Sequence, residues 1–192
     1  EPDFSIAKLD YDDPETYKML SRGETEGVFQ LESSGMKQVL VGLQPQNLED
    51  VIALISLYRP GPMDSIPTYL RNRHEPDKIS YKTPQLAHIL DVTNGCIVYQ
   101  EQVMQIFREL AGFSFGQADN VRRAMSKKKH AVMEAEREHF VHGCTDPGNE
   151  CPGCVAHGIS DKVAHELYDE MSSFTSYPFH QHHPPRYAHV AF

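Results

Sequence analysis

The stretch Asp119-Asn120-Val121-Arg122-Arg123-Ala124-Met125-Ser126-Lys127-Lys128-Lys129-His130 decides how this chain is read. Its spacing predicts a helix over residues 121–125, with Arg122 and Met125 on one face and Arg123 about 100° round from Arg122. Residues 121–130 carry five formal positive charges and no negative one, in a chain whose net charge is −9. Two adjacent guanidiniums followed by three ammoniums offer both forked and point-charge donors to a phosphate. The same residues also read as a solvated charge run at a helix C-terminus, where cations complement the dipole. Composition leaves both readings open.

Outward from this segment the pattern stays helical. Upstream, residues 100–111 place Val103, Phe107 and Leu110 on one side with Gly112 as the stop, and Ser114-Phe115-Gly116 reads as a connector. Downstream, residues 130–140 read as a helix with Met133, Phe140 and Val141 apolar. Ser160 caps a last helix on which Val163, Leu167, Met171 and Phe174 recur. Near the start, Asp13 is a cap and Pro14 a first helical residue. Residues 28–31 form a brief extended apolar segment in this reading, and Ser33 or Ser34 caps a helix carrying Met36, Val39, Leu40 and Leu43. A nearly all-apolar helix follows from Asn47 and stops at Arg59-Pro60-Gly61-Pro62, which aims Arg59 either at a structural partner or at an anion. Between Asp64 and Thr93 the prolines Pro67, Pro76 and Pro84 break the pattern, and Arg71, Arg73 and Lys78 make a looser basic patch. The fold class expected is mainly α, with six to eight helices and little or no sheet.

Length and composition suit one ordinary domain or two small ones. The acidic balance confines any polyanion contact to local basic patches. No apolar run reaches the 18 or so residues a membrane span needs, no signal peptide opens the chain, and residues 1–4 read as an interior cut. Cys144-x6-Cys151-x2-Cys154, with His142 and His157 close in sequence, has enough ligands for structural zinc, but a single Cys-x-x-Cys knuckle equally suits free thiols in a turn or a redox pair. Cysteine usage points to a reducing, cytoplasmic setting. Cys96 reads as a core thiol. The histidines His180, His182, His183 and His189 suit a solvated loop or adventitious metal binding.

Four motifs stand in register: residues 27–33 (Gly-Val-Phe-Gln-Leu-Glu-Ser), residues 57–62 (Leu-Tyr-Arg-Pro-Gly-Pro), residues 98–106 (Val-Tyr-Gln-Glu-Gln-Val-Met-Gln-Ile) and residues 122–129 (Arg-Arg-Ala-Met-Ser-Lys-Lys-Lys). In order and spacing they resemble the α subunit of bacterial DNA polymerase III, a C-family replicative polymerase, over nearly the whole chain. The Cys-Pro-Gly-Cys loop resembles that of clostridial-type members. The resemblance implies a DNA-templated DNA polymerase: residues 1–30 as the palm-to-fingers connection, residues 31–176 as the helical fingers region, and residues 177–192 as a divergent tail.

It also implies dNTP and primer–template DNA as partners, with a sliding clamp and other replisome subunits reached through parts of the parent outside this chain. Nucleotide-binding candidates carried over are Arg122, Arg123, Lys127, Lys128, Lys129, Arg59, Tyr177 and His183. The family's catalytic aspartates lie in the palm, so Mg²⁺ would be held there and the fragment alone would be inactive; Asp10, Asp12 and Asp13 read as loop and cap residues. After Tyr177 and Phe179 the family pattern Asn-Lys-Ser-His-Ala-Ala-Ala-Tyr is replaced by His180-Gln181-His182-His183-Pro184-Pro185-Arg186-Tyr187. Only His183 and Tyr187 keep the expected types, and each proline would cost a helix interior about 3 kcal/mol. The alternative reading is a non-catalytic helical module that binds nucleic acid or protein. Another kind of phosphotransferase would need a Gly-rich phosphate loop, which the glycines do not form.

Overall fold

The computed structural model describes residues 10–175 and Ala188, and among them the regular elements are ten α-helices joined by 3-10 turns. Two compact units divide between Tyr58 and Arg59.

The first unit contains α1 (Pro14–Ser21), α2 (Ser34–Leu43) and α3 (Leu48–Leu57). Each begins at a polar side chain that satisfies an orphan amide. The Asp13 carboxylate accepts from Glu15 N at 3.3 Å and Thr16 N at 3.0 Å, and Ser33 Oγ accepts from Met36 N at 3.3 Å. Asn47 Oδ1 accepts from Asp50 N at 2.9 Å, while Asp50 Oδ2 accepts from Gln46 N at 3.0 Å. Helix α3 is buried through Val51, Ala53, Leu54, Ile55 and Leu57, as its apolar run requires. Gly35 is demanded by packing: a Cβ there would lie 2.0 Å from the Tyr58 hydroxyl oxygen. Residues 28–31 are not extended. Gln30 takes φ +68°, Leu31 N donates to Val28 O at 3.0 Å, and Thr25 Oγ1 donates to Leu31 O at 2.6 Å, so the apolar run is a turn that buries Leu31. A run of four residues, three of them apolar, carries too little periodicity to separate strand from turn.

The second unit holds α4 (Ile66–His74), α5 (Ala87–Leu90), α6 (Gln100–Ala111), α7 (Phe115–Ser126), α8 (His130–His142), α9 (Gly153–Ala156) and α10 (Asp161–Thr175). Helix α4 forms across Pro67, which reads as a breaker in sequence. It sits in the first turn, where its missing N–H has no intrahelical partner to lose. The supposed connector at 114–116 is the start of α7: Ser114 Oγ accepts from Gln117 N at 3.2 Å and Gln117 Oε1 accepts from Ser114 N at 2.7 Å.

The core of this unit is aromatic. Phe107 on α6 meets Phe113, Phe140 and Tyr168 with ring centroids 5.4, 5.1 and 6.0 Å away. Gln102 is the buried polar support of α6. Its Oε1 accepts from Val98 N and Tyr99 N at 2.9 Å each, and its Nε2 donates to Ile89 O at 3.1 Å and Thr93 Oγ1 at 2.7 Å. Every hydrogen-bonding position of that amide is filled, which fixes the entry to α6 and therefore the place of Gln100.

Candidate functional site: the basic turn between α7 and α8

The four residues before the basic turn form the last turn of α7 and bury Ala124 and Met125 inward. Arg122 and Arg123 therefore leave the helix on neighbouring faces, and Asp119, three and four residues earlier, lies within reach of both. Arg122 donates to Asp119 Oδ1 from Nε at 3.1 Å and from Nη2 at 2.7 Å, and Arg123 Nη2 stands 2.7 Å from Asp119 Oδ2. The third arm of Arg122, Nη1, donates to Gln100 Oε1 at 2.9 Å. The pair is thus anchored by one carboxylate, which answers one positive charge of the two. The Asp119 carboxyl is held below its ordinary 3.8, first by the hydrogen bond from Arg122, against the opposing effect of burial and with the help of Arg123.

The two arginines differ in availability. The Arg122 side chain is 22% exposed and that of Arg123 64%. Arg122 uses its fork to tie α7 to α6. Arg123, held at one nitrogen, faces solvent.

Beyond them the chain makes a tight reversal. Lys127 N donates to Arg123 O at 3.1 Å, Lys128 N to Met125 O at 3.0 Å and Lys129 N to Ala124 O at 3.0 Å, the pattern of a Schellman cap. The residue in the left-handed position, at φ +52°, is Lys128, where glycine is the usual occupant. A side chain there costs about 1 kcal/mol or more of backbone strain. Lys127, Lys128 and Lys129 are all exposed. Helix α8 then starts without a side-chain cap at Lys129, so its first amides point into the same basic neighbourhood. Ser126, the last residue of α7, has a buried hydroxyl with no hydrogen-bond partner.

Of the other sequence candidates, Arg59 is among the described residues. Arg59 opens the second unit with its guanidinium over the Phe174 ring, 5.3 Å from the centroid, and burial lowers its pKa. Tyr177 and His183 lie outside the described residues. In the first unit a cleft of about 540 Å³ is lined by Asp12, Tyr17, Lys18, Arg22 and Gln44 among others.

The carboxylates at the start of the chain do not fit a pair of Mg²⁺ ions. Asp13 is committed to the α1 cap, with Thr16 Oγ1 donating to it at 2.6 Å, and Asp10 Oδ1 accepts from Asp12 N at 3.0 Å. The cysteine loop likewise does not assemble a zinc tetrahedron among the described residues. The ligand atoms that converge among the described residues belong to His142, Asp161 and His165 and include no cysteine sulfur; all four cysteines are free thiols, and burial pushes Cys154 up to about 12 and Cys151 up as well. What organises the loop is backbone: Cys144 and Cys151 exchange N–H···O bonds of 2.9 Å in both directions, and a Cβ on Gly153 would sit 2.3 Å from Gly143 N.

Sequence reasoning missed Asp119 and Gln100 as partners of the arginines. The first was signalled by its three- and four-residue spacing. The second depends on how α6 packs against α7.

No helix among the described residues is long and apolar enough to cross a membrane. The sequence profile described as the bacterial DNA polymerase III alpha subunit finger domain matches residues 1–148. The DNA polymerase III subunit alpha of Staphylococcus aureus (strain Mu50 / ATCC 700699) is 44% identical over 187 residues, covering 97% of this chain and 17% of the relative. That of Staphylococcus epidermidis is 43% identical over the same length and coverage. The chain therefore spans less than a fifth of the length of these curated relatives. With the finger-domain profile matched across most of its residues, on a framework of helices, the chain belongs to the bacterial DNA polymerase III alpha subunit finger-domain family.

Proposed function

We propose that this chain is the fingers part of a DNA-templated DNA polymerase and that the turn between α7 and α8 grips the triphosphate of the incoming dNTP. The observation that carries this reading is the sharing of Asp119 by Arg122 and Arg123, which holds two guanidiniums in fixed geometry while leaving the turn strongly cationic. An anchored guanidinium loses little entropy when it meets a phosphate. A plain solvated helix end needs no such anchor, nor a lysine in the left-handed position that glycine would occupy without strain.

Arg122 acts as the positioning residue. Arg123, Lys127, Lys128 and Lys129 meet the phosphates, with the Ser126 hydroxyl and the first amides of α8 as further donors. Arg59 serves the packing of its unit through Phe174. Tyr177 and His183 remain candidates for the sugar and base. Primer–template DNA is the second substrate of the parent enzyme, and the clamp and other replisome subunits would engage its other parts. Nucleotidyl transfer relies on Mg²⁺ held by carboxylates elsewhere in that parent, so residues of this chain contribute orientation and charge.

Hydrogen exchange on the polymerase containing this segment tests the reading. A dNTP added to the primer–template complex should protect the amides of residues 126–133. Protection by primer–template alone, with none added by dNTP, would favour a DNA-binding module instead.

A further inference from the structure

The loop between α8 and α10 carries the cysteines, yet the ligand atoms that converge belong to the helices flanking it. His142 is the last residue of α8, Asp161 is the first of α10, and His165 lies one turn further along α10. Asp161 Oδ2 stands 3.3 Å from His142 Nε2 and 3.8 Å from His165 Nε2, and the ligand atoms of the three residues all lie within 4.8 Å of one another. The two imidazole rings meet edge to face, with centroids 6.3 Å apart. We propose that His142, Asp161 and His165 form a binding site for a borderline divalent cation of the Zn²⁺ type, which clamps α8 to α10 across the cysteine loop.

The distances suit that ion. Bonds of about 2.0–2.1 Å in a tetrahedron set neighbouring ligand atoms roughly 3.3–3.4 Å apart. The observed separations need only small side-chain rotations to reach this. Glu138, one turn before His142 on α8, places Oε2 3.8 Å from His142 Nε2, close enough to supply a fourth oxygen to an ion held there. Two imidazoles with one or two carboxylates select Zn²⁺, Co²⁺, Ni²⁺ or Cu²⁺ over Mg²⁺ and Ca²⁺, which prefer all-oxygen shells.

Ion pairing between these side chains, each a third or more exposed, would contribute little by itself. A coordinated ion changes the consequence. It joins residue 142 to residues 161 and 165 and so closes the intervening loop as a covalent staple would. The crossing of Gly143 with Gly153 and the paired backbone of Cys144 and Cys151 already hold the inside of that loop. The cation would hold its mouth.

Calorimetric titration of the full 192-residue chain with ZnCl₂ tests this. The comparison set is His142→Gln, His165→Gln, a variant with Cys144, Cys151 and Cys154 all changed to Ser, and one with His180, His182, His183 and His189 all changed to Gln. One Zn²⁺ per chain should bind tightest, its affinity kept in the cysteine and tail variants and lowered at least about tenfold by His142→Gln or His165→Gln. Zn²⁺ should raise the Tm of the wild-type chain but not of His142→Gln, and Mg²⁺ should do neither. Co²⁺ in the site should absorb without a thiolate-to-metal band. No Zn²⁺ uptake, affinity unchanged in both histidine variants, or loss confined to the cysteine or tail variants would overturn the assignment.

Discussion

Arg122 donates from Nη1 to Gln100 Oε1 across 2.9 Å, and through that bond the last turn of α7 is fastened to the first residue of α6. The fastening assigns different duties to two arginines that look equivalent in sequence. Arg122 spans two helices, while Arg123 faces outward from the shared carboxylate of Asp119.

Arg122→Lys keeps the charge but offers one nitrogen in place of a planar fork, so it cannot serve Asp119 and Gln100 together. It should lower stability by about 1–2 kcal/mol in urea unfolding, whereas Arg123→Lys should stay within about 0.5 kcal/mol. Equal losses for the two would show that the fastening contributes nothing.

The acid limb of unfolding should report the same contact. The Asp119 carboxyl lies below its ordinary 3.8 because Arg122 hydrogen-bonds its charged form. A depressed carboxyl contributes stability that is complete above its unfolded value and fades as pH falls through the folded one. Below about pH 4 the wild-type chain should therefore lose stability more steeply than Asp119→Asn. Thermal scans from pH 5 downward check this, and parallel curves would contradict it.

Lys128→Gly separates stability from charge. Glycine removes the left-handed strain and should raise stability by about 1 kcal/mol, while deleting one ammonium from the basic turn. In the intact polymerase the same change should raise the dNTP KM. A more stable variant with an unaltered KM would leave Lys128 without a nucleotide role.

Thiol chemistry checks the cysteine loop. Burial pushes Cys96 up to about 11 and Cys154 up to about 12, and both side chains are enclosed, as is that of Cys151. An aromatic disulfide reagent at neutral pH should modify the half-buried Cys144 first and the other three only on unfolding. Simultaneous reaction of Cys151 and Cys154 in the native chain would contradict this packing.

Much of the fold was legible because its signals are local. Asp13-Pro14, Ser33, Asn47 and Ser160 each precede a helix and each cap it, and Gly112 ends α6 at φ +74°. Three local signals misled, the connector read at residues 114–116 among them, where Ser114 and Gln117 close a capping box and α7 begins. Residues 28–31 were too short to show a period, and Pro67 is tolerated in a first turn, where it reads as a breaker only if the helix start is misplaced. The basic turn was visible in the charge pattern, and Asp119 stood at the right spacing to be seen. Gln100 beneath Arg122 and His142 beside Asp161 were not legible, since each contact joins residues about twenty positions apart that meet only once helices pack.

Steady-state kinetics of Arg123→Ala in the polymerase that contains this segment tests the central claim most directly. The dNTP KM should rise at least about tenfold, or kcat/KM fall by as much, while the Kd for primer–template stays within about twofold of wild type. An unchanged dependence on dNTP, or a matching loss of DNA affinity, would contradict the assignment of this turn to the triphosphate.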